Sequence, residues 1–261
     1  MNQETPHLWC AYPDDLLAAE LAQRCEALLN EAELLRIKAF RFDRLKREYL
    51  TTRTLVRTAL SHSRSTAPEA WRFQANAYGK PALDPDCGRR FNLSNSQRLV
   101  VCLVGEAAEV GVDVEPFSRA KQILEVAPRV FSPRELAQLD ALNGPEKLDR
   151  AVSLWTLKES YIKARGMGLS LPLEQISFLF GENAGIRLEL DPALGDPADR
   201  WRFCLLDHAD HRVALMVECA SEPALQTWEV RPLLSVPEQL PPGHEAWFEG
   251  AATRPTRAES T

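Results

Sequence analysis

Two short segments, about forty residues apart, hold the side chains best suited to chemistry. They are Gly111-Val112-Asp113-Val114-Glu115 and Trp155-Thr156-Leu157-Lys158-Glu159-Ser160-Tyr161-Ile162-Lys163. Between them stand three carboxylates (Asp113, Glu115, Glu159) and two lysines (Lys158, Lys163). Carboxylate oxygens suit Mg²⁺, and ammonium groups suit a pyrophosphate. The pattern points to magnesium-dependent group transfer on a nucleotide-like substrate.

The first segment reads as a strand. Val110, Val112 and Val114 alternate with Gly111, Asp113 and Glu115, the period of a half-buried strand. Asp113 and Glu115 then share a face, where their mutual repulsion calls for water, a proton or a cation. Gly111 on that face leaves room for a ligand or another backbone. The plainer alternative is an edge strand with an acidic, solvated face.

The second segment reads as a helix. At about 100° per residue, Leu154, Trp155, Leu157, Tyr161, Ile162 and Ala164 fall in one apolar arc, with Thr156 and Ser160 opposite. Glu159 and Lys163 stack one turn apart at the arc's edge, where an ordinary i,i+4 ion pair is the plain alternative. Lys158 points into the arc, so its ammonium either meets an anion or snorkels to water.

The surrounding elements follow from local signals. Helical periodicity covers 14–29, and Asn30 with Glu33 caps a helix running towards Ala39. A third helix is expected over 44–60, then a strand at 71–74 and a turn at 77–81. Strands are expected at 91–94 and 99–104, the latter central, with 99–115 forming a hairpin. Ser132-Pro133-Arg134-Glu135 opens another helix, with Ser132 as cap and Glu135 as its capping-box partner. After the 154–165 helix, strands are expected at 176–180, 186–190, 201–206 and 212–219. From Pro237 onward the Pro-rich and charged composition predicts a disordered tail.

With 261 residues, 45% of them hydrophobic, the chain can bury one or two cores. A net charge of −6 argues against a general nucleic-acid or membrane binder. Even so, residues 36–64 hold nine Lys/Arg against Asp43 and Glu48 alone. Such an island suits an anionic ligand or, more plainly, a solvated helix face. The six cysteines lack metal-ligand spacing, and Cys102 reads as a packed thiol. The N-terminal segment is polar and no apolar stretch approaches membrane-span length, so a reduced cytoplasm is the expected compartment.

Together the two segments resemble the signature of the 4′-phosphopantetheinyl transferases of the long, surfactin-synthetase (Sfp-like) type. There a G-[IV]-D-x-E strand precedes a W-x-x-K-E-[SA]-x-x-K helix. Tyr78-Gly79-Lys80-Pro81, Phe91-Asn92-Leu93-Ser94, Phe131-Ser132-Pro133-Arg134-Glu135 and Gly168-Leu169-Ser170-Leu171-Pro172-Leu173 resemble further family segments in order, so the likeness covers roughly residues 30–220. One position departs. Many relatives carry His after the Ser of the FN-[IL]-S segment, in contact with the 3′-phosphate of coenzyme A. Here Asn95 stands there, able to donate a hydrogen bond but without charge.

The resemblance implies an α+β fold of two similar subdomains, 1–109 and 110–235, related by a pseudo-twofold, with 236–261 as the tail. Each would be a small, mostly antiparallel sheet packed on helices, with the active site at their interface. It implies a monomer that moves 4′-phosphopantetheine from coenzyme A to a serine of an apo acyl or peptidyl carrier protein, releasing 3′,5′-ADP. Fatty-acid, polyketide and nonribosomal peptide carriers all qualify. Asp113, Glu115 and Glu159 are the implied Mg²⁺ ligands, and Lys163 and Lys158 the pyrophosphate contacts. Arg53, Lys80, Pro81, Ser94 and Asn95 are the implied contacts for the nucleotide, with Asp113 also facing coenzyme A. Glu135 and Glu159 both stand as candidates for the general base. Two competing functions are a carrier-independent phosphohydrolase and a non-catalytic coenzyme A or carrier-binding module. The presence of all three acids and both lysines argues against the second.

Overall fold

A computed structural model describes residues 5–62, 64–96, 98–106, 108–181, 185–231, 233–241 and 247–250. Strand β1 (His7–Ala11) is followed by a 3-10 turn and helix α1 (Ala19–Glu26). The periodicity over 14–29 is thus divided at Ala18, whose backbone is extended. Helix α2 (Glu31–Ala39) begins at the expected cap. Asn30 Oδ1 accepts from the Glu33 amide, and the Glu33 carboxylate accepts from the Asn30 amide, both at 3.0 Å. Helix α3 (Asp43–Ser61) leads to a hairpin of β2 (Phe73–Ala75) and β3 (Pro81–Leu83). Strands β4 (Arg89–Ser96), β5 (Leu99–Glu106) and β6 (Val110–Pro116) come next. Three helices follow: α4 (Ala120–Val130), α5 (Pro133–Asp140) and α6 (Gly144–Arg165). The chain continues through a second hairpin, β7 (Ile176–Phe180) and β8 (Ile186–Leu190), then β9 (Trp201–His208) and β10 (His211–Glu218). It closes with β11 (Gln226–Val230), β12 (Glu238–Gln239) and β13 (Trp247–Glu249).

Two sheets stack face to face. Their strand orders are β12-β11-β1-β5-β4 and β13-β9-β10-β6. Within these two sheets, among the described residues, the strand pairings are antiparallel except that of β1 with β11. Period-two alternation sorts the faces. Leu8, Cys10, Leu99, Val101 and Leu103 of the first sheet share one apolar layer with Val110, Val112, Val114, Val213 and Leu215 of the second. The outer face of the first sheet shares a core with Leu55, Val56 and Leu60 of α3. The outer face of the second shares a core with Leu157, Tyr161 and Ala164 of α6. The resulting helix–sheet–sheet–helix stack is the mixed α+β architecture, with small antiparallel sheets, that the resemblance implies.

Several local expectations differ from the structure. β5 and β6 do not form a hairpin, because they belong to different sheets. β5 is apolar on both faces, so the valines of β6 pack flat against it while its edges pair with β1 and β4. Nor is β6 half-buried: it is an edge strand, but its acidic face is covered by α6. The chain returns to the first sheet at Gln226, ahead of the boundary placed at 235. The tail is structured in part, since Glu238–Gln239 pairs with β11 and Trp247–Glu249 with β9. Residues 251–261 lie outside those described. Among the described residues, no helix is long and apolar enough to cross a membrane.

Candidate active site

The site lies at the seam where β4, the edge of one sheet, meets β6, the edge of the other. An edge strand leaves amides unpaired, and here side chains of β4 take them. Asn92 Oδ1 accepts from the Val112 amide at 3.0 Å, and Ser94 Oγ from the Val114 amide at 3.3 Å. On the far side of β6, Gly111 lets α6 approach. A Cβ there would overlap the Ser160 carbonyl oxygen and stand 2.5 Å from the Ala164 amide nitrogen. Thr156 and Ser160, on the polar side of the predicted helix, are therefore buried. Their hydroxyls donate to the helix's own Val152 and Leu157 carbonyls.

Asp113 is the centre of the seam. Its Oδ1 accepts from Ser94 Oγ (2.8 Å) and from Lys163 Nζ (2.6 Å), and Lys163 also donates to Ser94 Oγ at 2.8 Å. Lys163 thus pairs with Asp113, not with Glu159 one turn away. Glu115 is held by Trp155 Nε1 at 3.0 Å and by Arg119. Burial, reinforced by the neighbouring Asp113 charge, pushes the carboxyls of Glu115 and Glu159 up from the usual range. Lys163 opposes that rise at Glu159, and Arg119 opposes it at Glu115.

A cavity of about 280 Å³ opens beside this cluster, lined by Lys80, Pro81, Asn92, Glu159 and Lys163 among others. Lys80 lines it, yet its ammonium donates to Glu109 (2.7 Å) and to the Ala164 carbonyl (2.8 Å). A larger groove of about 590 Å³, lined by Arg134, Gln138, Phe180 and Arg187, holds none of the three acids. The acidic cluster therefore adjoins the smaller cavity, not the larger groove.

Four predicted site residues are placed elsewhere. Arg53 pairs with Glu33 and lies over the Phe73 ring at 4.4 Å, and none of the nine basic residues of 36–64 lines the cavity. Asn95 is exposed and donates to Glu48 of α3. Glu135 and Lys158 form a buried ion pair, 2.7 Å apart, with side chains 0% and 1% exposed. Glu135 also accepts from the amides of Ser132 (2.7 Å) and Phe178 (2.8 Å). Lys158 also donates to the carbonyls of Val130, Leu173 and Ile176, at 3.0, 2.7 and 2.7 Å. Neither side chain lines the cavity, because every polar atom they offer is engaged in joining α4, α5, α6 and β7. Sequence reasoning passed over Asn92, although alternation gives it the same face of β4 as Ser94, and passed over Arg119.

Among the described residues, no three His, Cys, Asp or Glu side chains converge closely enough to form a ready-made metal centre. The donor set nevertheless fits a hard dication. Asp113 Oδ2 is buried without a hydrogen-bond partner, and Glu115 and Glu159 are both unsettled by its charge. Such a set of oxygens is what Mg²⁺ prefers.

Comparison with known proteins bears on the family alone. The 4′-phosphopantetheinyl transferase superfamily model matches residues 109–216, from β6 through α6 to β10. A 4′-phosphopantetheinyl transferase of Bacillus subtilis is 30% identical over 216 residues, covering 83% of this chain and 92% of its own. HetI of Nostoc sp. is 32% identical over 72% of this chain and 79% of its own. Sfp of Bacillus subtilis is 32% identical over 69% and 79%, respectively. A solved holo-(acyl-carrier-protein) synthase from Bacillus anthracis, in complex with CoA (3′,5′-ADP), overlays 43% of this chain and 96% of its own at 18% identity and a TM-score of 0.38. The sequence similarity runs through both edges of the seam and the helix that closes it, and by it the chain belongs to the 4′-phosphopantetheinyl transferase superfamily.

Proposed function

We propose that this enzyme transfers 4′-phosphopantetheine from coenzyme A to a serine of an apo acyl or peptidyl carrier protein, releasing 3′,5′-ADP. The observation that carries the reading is the shared cavity. Lys163, held by Ser94 and Asp113, lines it together with Glu159 and the Lys80–Pro81 turn. All of these groups come from one chain, so a monomer suffices.

In the reaction, the carrier serine oxygen bonds to the β-phosphorus of coenzyme A, and the bond from that phosphorus to the bridging oxygen breaks. Electrons of that bond leave with 3′,5′-ADP. Glu159 takes the serine proton, directly or through a water. Its carboxylate lines the cavity beside Lys163, within the site where a general base must stand. Lys163 donates to the oxygens on which charge develops, from a position fixed by Asp113 and Ser94. Asp113, Glu115 and Glu159 would hold Mg²⁺, which when bound neutralises and polarises the pyrophosphate.

The test is intact-mass analysis of a panel of apo carriers after incubation with coenzyme A and Mg²⁺. A gain of one phosphopantetheine, lost with chelator and with Glu159→Gln, supports the proposal. Breakdown of coenzyme A without any carrier would instead indicate a phosphohydrolase. Coenzyme A binding with neither reaction would indicate a binding module.

A further inference from the structure

The β2–β3 hairpin belongs to neither large sheet. Its turn nevertheless supplies Tyr78, Lys80 and Pro81 to the cavity, while α6 supplies Glu159 and Lys163. Asn76, which does not line that cavity, joins the two walls. Its Oδ1 accepts from the amides of Tyr78 and Lys80, both at 2.9 Å, and so closes the turn. Its Nδ2 donates to the Gly166 carbonyl at 2.9 Å. A helix leaves its last carbonyls without intrahelical donors, and here the turn supplies them, with Lys80 Nζ on Ala164 (2.8 Å) as the second bond. Gly166 is shaped to receive the turn. Its φ is +63°, and a Cβ there would stand 2.6 Å from Lys80 Cδ and 3.3 Å from Asn76 Nδ2.

We infer that Asn76 is a positioning residue that sets the separation between the Tyr78–Pro81 turn and the helix bearing Glu159 and Lys163. It thereby tunes affinity for coenzyme A, not the rate of transfer; this consequence rests on the proposed function above. The split follows from where the clasp acts. It grips α6 beyond Lys163, whereas Lys163 is separately anchored on Asp113 and Ser94. Loosening the clasp widens the cavity without releasing that anchor, so it weakens ground state and transition state alike.

Asn76→Asp separates the two jobs, keeping an acceptor for the turn and removing the donor to Gly166. Steady-state transfer, calorimetric binding of coenzyme A and amide hydrogen exchange are compared with the wild type, beside Asn76→Ala, which removes both jobs. The expected result for Asn76→Asp is a rise of about five- to tenfold in KM and Kd for coenzyme A, with kcat within about twofold. Asn76→Ala should be worse, and Gly166→Ala should change KM in the same direction. Exchange at the end of α6 should quicken in Asn76→Asp without ligand. Unchanged exchange there would overturn the clasp, even if the wild type proved not to bind coenzyme A. Quickened exchange with unchanged KM and Kd, or a loss confined to kcat, would overturn its role in affinity. Absence of binding and transfer in the wild type would mark failure of the functional proposal itself.

Discussion

Replacing Lys158 with methionine keeps the apolar stem and removes the ammonium. Glu135 would then remain fully buried with only the Ser132 and Phe178 amides as partners. The carbonyls of Val130, Leu173 and Ile176 would lose this donor as well. Burial pushes the Glu135 carboxyl up and the Lys158 ammonium down, and each group's charge opposes the shift in the other. Breaking such a buried pair by removing one partner costs about 3–5 kcal/mol. At about 2–4 °C per kcal/mol for a chain of this size, the melting temperature should fall by roughly 6–20 °C. Scanning calorimetry and urea unfolding measure the loss for Lys158→Met, Glu135→Gln and the Lys158→Met/Glu135→Leu double variant. The double variant exchanges the pair for apolar groups and should recover much of the loss. Assayed well below the transition, Lys158→Met should keep kcat and KM within about twofold, because neither side chain reaches the cavity. An unchanged melting temperature with kcat reduced about a hundredfold would refute this reasoning and place Lys158 on the pyrophosphate.

Three further outcomes are expected. Gly111→Ala drives a Cβ into the Ser160 carbonyl and pushes α6 off β6; urea midpoints should show a loss of about 1–3 kcal/mol or more, with transfer falling alongside. Asp113→Asn preserves shape but leaves Lys163 without its counter-charge; carrier mass analysis should show a fall of about 10²–10³-fold in turnover. His211 is buried, 2.8 Å from Ser96 Oγ, and burial lowers its pKa from the usual 6.5. Below that value the unfolded ring takes up a proton that the folded one resists, so this residue's contribution is intact above pH 6.5 and declines as pH falls. The slope is up to about 1.4 kcal/mol per pH unit, and urea unfolding at about pH 7.5 and 5.5 should show a shallower decline in His211→Asn.

Local physics was legible in the sequence because it acts over a few residues. The Asn30–Glu33 and Ser132–Glu135 boxes cap helices where their spacing says they should. The strands at 176–180 and 186–190 fall on the predicted residues. Alternation also told which residues of β6 share a face. It could not tell that both faces are covered, because the covering helix arrives from residues 144–165. The same limit explains the missed strands. β1 and β11 pair across more than two hundred residues, and β13 adds to β9 from a segment whose composition reads as tail.

Residue types and their order carried the resemblance that named the family, since carboxylates, lysines and a close-approach glycine stand in the order of its signature segments. The partner of each charge was decided only by the packed molecule. Lys163 could equally have met Glu159 on its own helix, and it meets Asp113 because Gly111 lets α6 settle onto β6. Lys158 announced itself as a lysine in an apolar arc, but its anion is Glu135, delivered by the neighbouring helix α5. Asn92 and Ser94 serve β6 only because two sheet edges run side by side. Coulomb and hydrogen-bond energies depend on separations of a few ångströms, and those separations are set by how sheets and helices stack.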